Sequence, residues 1–443
     1  SFLNRLEKLI ANNDVSIVDS NTGYVYDIQQ NHGAVLESDI EGKFCKTFSG
    51  YKDDWERIQI SEGIGYPPTW ILTRPDVGGD IYAMGTNEYE KLGFDNGSTS
   101  NVTTTTQVSA VNDIVQVSHM HKYGTIYLHQ DGTVSIVGYN GTGALVGTTI
   151  TKIQTFNDGT PFNNVVSICC GYYHTIALHR DGTVSAWGQG ADGKLGLGNY
   201  NNTHDPTKIE YFEDGTTPFN NVIQVSTWGF HTLALHSDGT VSSWGEGGRA
   251  GGGLGHGNTA NRSRPAKISG LNDIIYVGDS QSKSYAIHQD GSVSSWGYGY
   301  SGQLGHGDDT ANKNTPTKIS GLSNVKQITG GDYHTVAVLN DGTVKTWGKG
   351  DRGQLGNGWD NRTTPTALSS PSHSDIVQAA CGWDHTLFLH SDGQVSSTGK
   401  NTNGQLGRSA HLSQDNAVIK ISGLSGVNQI SAHRSASVAL KIT

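Results

Sequence analysis

Short apolar runs alternate with polar stretches rich in Gly, Asn and Thr through most of the chain. Residues 222–225 and 233–236 are two such runs, and Asp238-Gly239 lies between the second run and the next one, which begins at Val241. Apolar runs of four to eight residues bounded by turn formers predict short β-strands. An Asp-Gly pair between two runs predicts a hairpin closed by a type I′ turn, in which both central residues have positive φ.

This hairpin unit recurs along the chain. The Asp that opens the pattern stands at Asp80, Asp131, Asp181, Asp238, Asp290, Asp341 and Asp392. The intervals between these positions run from 50 to 57 residues. A period of this size is typical of propellers and solenoids. About four short strands per unit correspond to one propeller blade, in which we expect Val241 and Trp244 to face inward and Ser242 outward.

The two ends of the repeated region complement each other. The first copy begins at Gly79 without the two strands that precede the Asp in later copies, whereas residues 427–440 supply two such strands and stop before any Asp-Gly. We therefore expect the C-terminal strands to complete the first blade and close a seven-bladed ring without a free edge there. The predicted organisation is an all-β propeller at residues 79–443, preceded by a segment at residues 1–78.

The first 78 residues do not repeat. Phe2, Leu6 and Leu9 fall at helical spacing, and residues 15–17 and 24–26 flank a turn sequence. We expect a small α+β segment that attaches the propeller to an assembly, with these three apolar side chains as candidate contacts. The start of the chain is too charged for a secretory signal, so we expect synthesis in the cytoplasm.

Composition excludes several classes of function. There are 30 Lys+Arg against 40 Asp+Glu, a formal net charge of −10, and the basic residues are not clustered, which argues against a nucleic-acid partner. No apolar run approaches the ~18 residues of a membrane span, so no membrane insertion is expected. The four cysteines form no C-x-x-C pair. We expect no cofactor and no metal site.

The order of motifs in each unit resembles the regulator of chromosome condensation repeat family. It runs through an apolar strand, Gly, His-Thr, a second apolar strand, Asp-Gly-Thr-Val, Trp-Gly and Gly-Gln-Leu-Gly, and it covers about residues 79–443. Val137 and Thr398 depart from it where other copies have Trp. The resemblance implies a seven-bladed propeller. It also implies one alternative function, since some members act as guanine-nucleotide exchange factors on a small GTPase and dock on chromatin.

Two sets of histidines recur in register with the repeat. They are His174, His231, His334 and His385, and His129, His179, His236, His288 and His390. Catalytic or metal-binding histidines converge on one point, whereas these are distributed around a ring, so we expect a structural hydrogen bond within each blade. Cys170 and Cys381 share a repeat position, which indicates small buried residues rather than nucleophiles.

The remaining candidates are loops, where scaffolds carry their function. Phe212 lies in an inserted segment, Arg249 in a Gly-rich run, and Trp359 in a loop between strands. We interpret the chain as a non-enzymatic binding platform with protein partners in a larger assembly. The specific hypothesis is a phage virion surface component, a tail, decoration or host-attachment protein that contacts a host-surface receptor or glycan. Guanine-nucleotide exchange or another regulatory scaffold role of the same repeat family remains as an alternative, and so does a glycan-processing enzyme.

Overall fold

The computed structural model describes most of the repeated region and short parts of the N-terminal segment. The described residues are 16–18, 25–27, 47–49, 58–59, 79–85, 100–108, 113–120, 124–139, 145–227, 229–248, 253–280, 282–307, 311–368, 375–408 and 413–442. The chain divides into two compact units, Ser1–Gly78 and Gly79–Thr443.

In the first unit the described residues form one antiparallel sheet in the order β2-β1-β3-β4. Its strands are β1 (Ser16–Val18), β2 (Val25–Asp27), β3 (Thr47–Ser49) and β4 (Ile58–Gln59). The pairing of β1 with β2 confirms the predicted hairpin. The predicted helix, with Phe2, Leu6 and Leu9, lies outside the described residues, and the attachment role of the segment stays a prediction.

The second unit contains seven four-stranded antiparallel sheets, here called blades 1 to 7. It begins with β5 (Gly79–Gly85) and β6 (Val102–Val108). Blade 1 consists of β7 (Ile114–Met120), β8 (Gly124–His129), β9 (Val134–Tyr139) and β10 (Leu145–Ile153). Blade 2 consists of β11 (Val165–Cys170), β12 (His174–His179), β13 (Val184–Gly188) and β14 (Thr203–Lys208), with a short 3₁₀ turn at Ala191–Gly193 between the last two.

The next four blades follow the same order along the chain. Blade 3 consists of β15 (Val222–Thr227), β16 (His231–His236), β17 (Val241–Gly245) and β18 (Arg262–Lys267). Blade 4 consists of β19 (Ile274–Ser280), β20 (Lys283–His288), β21 (Val293–Gly297) and β22 (Lys313–Lys318). Blade 5 consists of β23 (Val325–Gly330), β24 (His334–Leu339), β25 (Val344–Gly348) and β26 (Arg362–Ala367). Blade 6 consists of β27 (Ile376–Cys381), β28 (His385–His390), β29 (Val395–Lys400) and β30 (Gln414–Lys420).

Blade 7 joins the two ends of the propeller. It combines β31 (Val427–His433) and β32 (Ala436–Ile442) with β5 and β6, in the order β31-β32-β5-β6. Strand β32 pairs antiparallel with β5 from Ala436 opposite Gly85 to Ile442 opposite Gly79. The first strand of each blade contacts the first strand of the next, and β31 contacts β7. The predicted closed seven-bladed ring is confirmed.

Stacking of the blades buries both faces of each central strand. All five residues of β17 are buried, so the expected exposure of Ser242 is wrong: each blade packs against two neighbours, and neither face meets solvent. The repeated tryptophans fill the space between blades. The indole N–H of Trp296 donates to the carbonyl of Gly253 in the preceding blade (2.8 Å). Gly255 is required there, because a Cβ would lie 2.8 Å from the Nε1 of Trp296.

The Asp-Gly turns differ from the predicted type I′. The N–H of Gly239 donates to the carbonyl of His236 (3.0 Å), and the N–H of His236 donates to the carbonyl of Thr240 (2.9 Å). Positive φ (76°) belongs to Gly239 and not to Asp238, as in a three-residue loop with a bulge. Asp238 serves as an acceptor instead: its Oδ1 accepts from the N–H (3.0 Å) and the hydroxyl (2.6 Å) of Thr240.

Candidate functional site

The antiparallel order gives the propeller two different faces. The loops that join first to second and third to fourth strands lie at one end of the blades, here called the mouth face. The Asp-Gly turns and the connections between blades lie at the other end, the turn face. Because the first strands contact one another around the ring, they line the central channel. The loops that follow them therefore surround the mouth of that channel.

Neighbouring mouth loops are joined by main-chain hydrogen bonds. The N–H of Tyr172 donates to the carbonyl of Gly229 (3.0 Å), that of Asp332 to Trp383 (3.4 Å), and that of Trp383 to Arg434 (2.9 Å). Each bond links one blade to the next at the same repeat position. The mouth loops joined in this way, those of blades 2 and 3 and of blades 5 to 7, are here called the collar.

Aromatic side chains cross the mouth within this collar. The indole Nε1–H of Trp383 in blade 6 donates to the hydroxyl of Tyr172 in blade 2 (3.3 Å). The guanidinium of Arg434 lies 4.4 Å from the centre of the Trp383 ring, a cation–π contact. The ring of Phe230 meets Tyr172 edge to face at 4.6 Å. The mouth is therefore a preorganised aromatic surface.

The charged side chains at the mouth interact with main-chain carbonyls or with one another. Lys283 occupies the repeat position of the first histidine set, and its ammonium donates to the carbonyls of Gly331 (2.8 Å), Asp332 (3.0 Å) and His334 (3.3 Å). Burial lowers the pKa of Lys283 to about 7. Burial also raises the pKa of Asp332 to about 8, against the opposing effect of the Lys283 charge. Both shifts follow from desolvation of the charged form.

Exposed aromatic side chains are concentrated on the mouth face. Among the described residues, the large aromatic side chains that are more than a third exposed include Tyr200 (56%), Tyr300 (55%), Trp359 (45%) and Tyr333 (36%), and all four lie in mouth-face loops. Tyr211 (36%) lies on the turn face. Four of these five aromatic side chains thus lie on one face, which makes the mouth face the candidate binding surface.

Three tyrosines of blades 4 and 5 form the densest part of this surface, here called the tyrosine patch: Tyr298, Tyr300 and Tyr333. The ring of Tyr298 lies 5.3 Å from that of Tyr300 and 6.4 Å from that of Tyr333. The ammonium of Lys349 lies 5.5 Å from the Tyr333 ring and 3.1 Å from an oxygen of Asp351. The patch therefore carries its own cation, already paired with a carboxylate.

The structure does not bring the predicted contact residues together. Trp359 lies on the mouth face, whereas Phe212 lies on the turn face, half-buried with its ring 5.1 Å from Phe219 and 5.6 Å from His236. Arg249 lies outside the described residues. The contact roles of these residues stay predictions. The residues at the mouth were not predicted as contacts from the sequence. They occupy the positions between Gly and His-Thr in each repeat, and the variation of these positions from copy to copy could have identified them.

The first histidine set joins blades, so the expected bond within each blade is wrong for it. The Nε2–H of His334 donates to the hydroxyl of Thr386 in the next blade (3.0 Å), and that hydroxyl donates to the carbonyl of Gln354 (2.8 Å). His231 contacts Ser284 in the same way (2.8 Å). Burial lowers the pKa of His231 to about 4, because the charged form loses its hydration.

The second histidine set forms bonds within each blade, as expected. The Nε2 of each ring lies 2.6–2.8 Å from the hydroxyl of a serine on the following strand. The pairs are His129 with Ser135, His179 with Ser185, His236 with Ser242, His288 with Ser294, and His390 with Ser396.

The described residues show little that would support metal binding or catalysis by a thiol. They contain no group of three or more His, Cys, Asp or Glu placed to hold a metal ion. Cys170 and Cys381 are buried, as predicted, and burial raises their pKa values to about 11 and about 12, so neither forms a reactive thiolate at neutral pH. None of the described helices has the length and apolar character needed to cross a membrane.

Comparisons with known proteins identify the repeats. Sequence profiles described as "Regulator of chromosome condensation (RCC1) repeat" match residues 181–235, 290–338 and 341–389, and residues 165–194, 325–354 and 376–405. The Ultraviolet-B receptor UVR8 of Arabidopsis thaliana is 32% identical over 55% of this chain and 54% of its own. The human E3 ubiquitin-protein ligase HERC2 is 36% identical over 42% of this chain and 4% of its own. The chain thus spans about half or less of these relatives.

A solved structure shows the same fold. Yeast RCC1 (Prp20), bound to Kap60, superposes with a TM-score of 0.72 at 20% identity, over 83% of this chain and 90% of its own. These relatives correct the specific functional hypothesis. A phage tail, decoration or host-attachment protein on the virion surface is wrong, because the matched proteins are plant, human and yeast proteins that include a receptor and a ligase. Regular, polar repeats of this kind match the profiles of the RCC1 repeat, so they do not point to a virion protein.

Proposed function

We propose that this chain, a member of the regulator of chromosome condensation (RCC1) repeat family, is a non-enzymatic regulatory protein that binds a protein partner through its mouth face. The observation that carries the proposal is the concentration of exposed aromatic side chains in mouth-face loops. Tyr and Trp are enriched among residues that dominate binding energy, because they bury a large area at a small entropic cost.

The collar supports the same proposal. A partner that docks on loops loses affinity whenever those loops must first be ordered. Here Tyr172, Asp332 and Trp383 are already linked to the next blade by main-chain bonds. The tyrosine patch lies beside this collar, since its Tyr333 directly follows Asp332 in the chain. The binding surface is therefore preorganised.

The test compares two faces of the same molecule. Tyr300→Ala combined with Tyr333→Ala removes most of the exposed aromatic area of the patch. Tyr211→Ala on the turn face is the matched control, since Tyr211 and Tyr333 have the same exposure of 36%. Partners recovered with the wild-type protein from its source cells are quantified by mass spectrometry and mapped by cross-linking. We expect the double variant to lose them and the control to retain them. Equal retention by both variants would refute the mouth-face assignment.

Nucleotide exchange on a small GTPase is a second candidate. A family resemblance and the related yeast Prp20, which has been characterised for binding to Gsp1p and histones, favour it. An assay of nucleotide release from a panel of small GTPases decides between a regulator of GTPases and a scaffold for another class of protein. Acceleration that disappears in the Tyr300→Ala, Tyr333→Ala variant would establish exchange at the mouth face.

A further inference from the structure

Several aromatic rings of the described mouth loops hold a cation of the chain itself. The pairs, with the distance from the cation to the ring centre, are Lys194 with Phe230 (5.3 Å), Lys349 with Tyr333 (5.5 Å) and Arg434 with Trp383 (4.4 Å). A cation within about 6 Å of a ring centre is attracted by the negative face of the π system. The faces of these rings are therefore suited to bind a positive charge.

These pairs differ in how readily the cation leaves its ring. The side chain of Lys194 is 2% exposed, and its ammonium also lies 3.3 Å from an oxygen of Asp192. The side chain of Lys349 is 34% exposed, and the ring of Tyr333 that it covers belongs to the exposed tyrosine patch. Because Lys349 also pairs with Asp351 (3.1 Å), it keeps an ionic partner after it leaves the ring. Lys349 is thus a cation that a ligand can displace.

The charges around the tyrosine patch do not oppose another cation. Lys349 pairs with Asp351, and in the next blade Lys400 pairs with Asp384 (3.7 Å). Burial raises the pKa of the Tyr333 phenol, and nearby carboxylates, including that of Asp384, raise this pKa further against the charge of Lys349. Carboxylates that disfavour a phenolate at Tyr333 favour a cation there. The whole chain, with a formal net charge of −10, also attracts a basic partner at long range.

We propose that the tyrosine patch binds an arginine side chain of the partner, which takes the place of Lys349 on the ring of Tyr333. This inference rests on the proposed function, because it names the chemistry of the partner at the mouth face. Arginine fits better than lysine, since its planar guanidinium stacks on aromatic rings and is more weakly hydrated than an ammonium. The guanidinium of Arg434 on Trp383 is an example within the chain. The carboxylate of Asp351 provides an acceptor for the N–H groups of the incoming arginine.

Fluorine NMR of the full chain labelled with 3-fluorotyrosine tests the proposal. The signals of Tyr300 and Tyr333 are identified by their loss in Tyr300→Phe and Tyr333→Phe. The probe is Nα-acetyl-arginine methylamide, and the matched control is the citrulline analogue, which has the same length and shape but no charge. We expect the arginine probe to shift both signals saturably and to bind about threefold more tightly than the citrulline analogue. The signal of Tyr211, a side chain with the same 36% exposure as Tyr333, should not move.

The Lys349→Met variant provides the sharper test. If the probe replaces Lys349, removal of this ammonium should tighten binding of the arginine probe about threefold. Lys208→Met is the matched control, because the ammonium of Lys208 lies 5.0 Å from the ring of Phe156, away from the mouth loops, and its removal changes the net charge by the same amount. This control should leave the affinity unchanged. Weaker binding to Lys349→Met would mean that the patch recognises an anion through Lys349, and would overturn the proposal. Equal binding of the two probes, or an equal response of Tyr211, would overturn it as well.

Failure of this proposal is separable from failure of the proposed function. Partners bound to the wild-type protein are eluted with the arginine probe or with the citrulline analogue at the same concentration, and we expect elution by the arginine probe alone. If Tyr300→Ala with Tyr333→Ala loses the partners but the two probes elute equally, the mouth face binds a protein and only the arginine assignment fails. If the double variant retains its partners, the mouth-face assignment fails, and with it the role of arginine in partner binding.

Discussion

Acid should unfold this propeller well above the pH at which its carboxylates are protonated, because four imidazoles are buried between blades. His174, His231, His334 and His385 are each completely buried. Burial lowers the pKa of His174 and His385 to about 3 and that of His231 to about 4, and it lowers that of His334 well below its usual value. The unfolded chain therefore binds protons on these rings at a higher pH than the folded chain does.

The sign and size of the effect follow from this difference. Below pH 6.5 unfolding takes up protons, so the free energy of unfolding falls as the pH falls. At pH 5 each ring contributes a loss of about 2 kcal/mol, from about 1.36 kcal/mol per pH unit over about 1.5 units. Four rings give about 8 kcal/mol. This equals a large part of the 5–15 kcal/mol by which a typical domain is stable.

The assay is chemical denaturation at pH 7, 6 and 5, followed by the fluorescence of the buried tryptophans. We expect the free energy of unfolding to fall steeply between pH 6.5 and 5. His334→Gln retains a donor toward Thr386 but cannot be protonated, so it should reduce the decline between pH 7 and 5 by about 2 kcal/mol. The same exchange at the exposed His204 is the control. A free energy of unfolding that stays constant from pH 7 to 5 would refute the reasoning.

Three further outcomes follow from single contacts. The wild-type protein should become more stable between pH 7 and 10, because the pKa of Lys283 is lowered to about 7 in the folded chain whereas the unfolded chain binds that proton more tightly. Lys283→Met should abolish this rise. The measurement is the denaturation midpoint as a function of pH. Trp347→Phe loses the indole bond to Gln303 and should cost about 2 kcal/mol in urea denaturation, with Trp359→Phe as the exposed control. Asp238→Ala loses two bonds to Thr240 and should lower the melting temperature by a few degrees through a cost of about 1 kcal/mol, while Asp238→Asn retains most of the stability.

Contacts between blades could not be predicted from local sequence. The recurrence of His334 and His385 in register was visible, but a bond within the blade and a bond to the next blade have the same sequence pattern. The partner of His334 lies 52 residues away, one full repeat further along the chain. Only the stacking of blades decides that the His334 imidazole points away from its own sheet and toward the next blade. The same holds for Gln378, whose amide pairs with a strand of the next blade.

The sequence alone was sufficient for the blade count, the closure of the ring and the position of the hairpins. The periodicity of the chain determines the blade count and, through its incomplete first and last copies, the closure. Turn residues that are neighbours in the chain determine the hairpins. The tertiary structure alone decided which loops share a face. Tyr300 and Tyr333 belong to different repeats and meet near Tyr298 because adjacent blades place equivalent loops side by side. Whether an aromatic residue is buried, as Trp347 is, or exposed, as Trp359 is, depends on the packing of the next blade rather than on the residue itself.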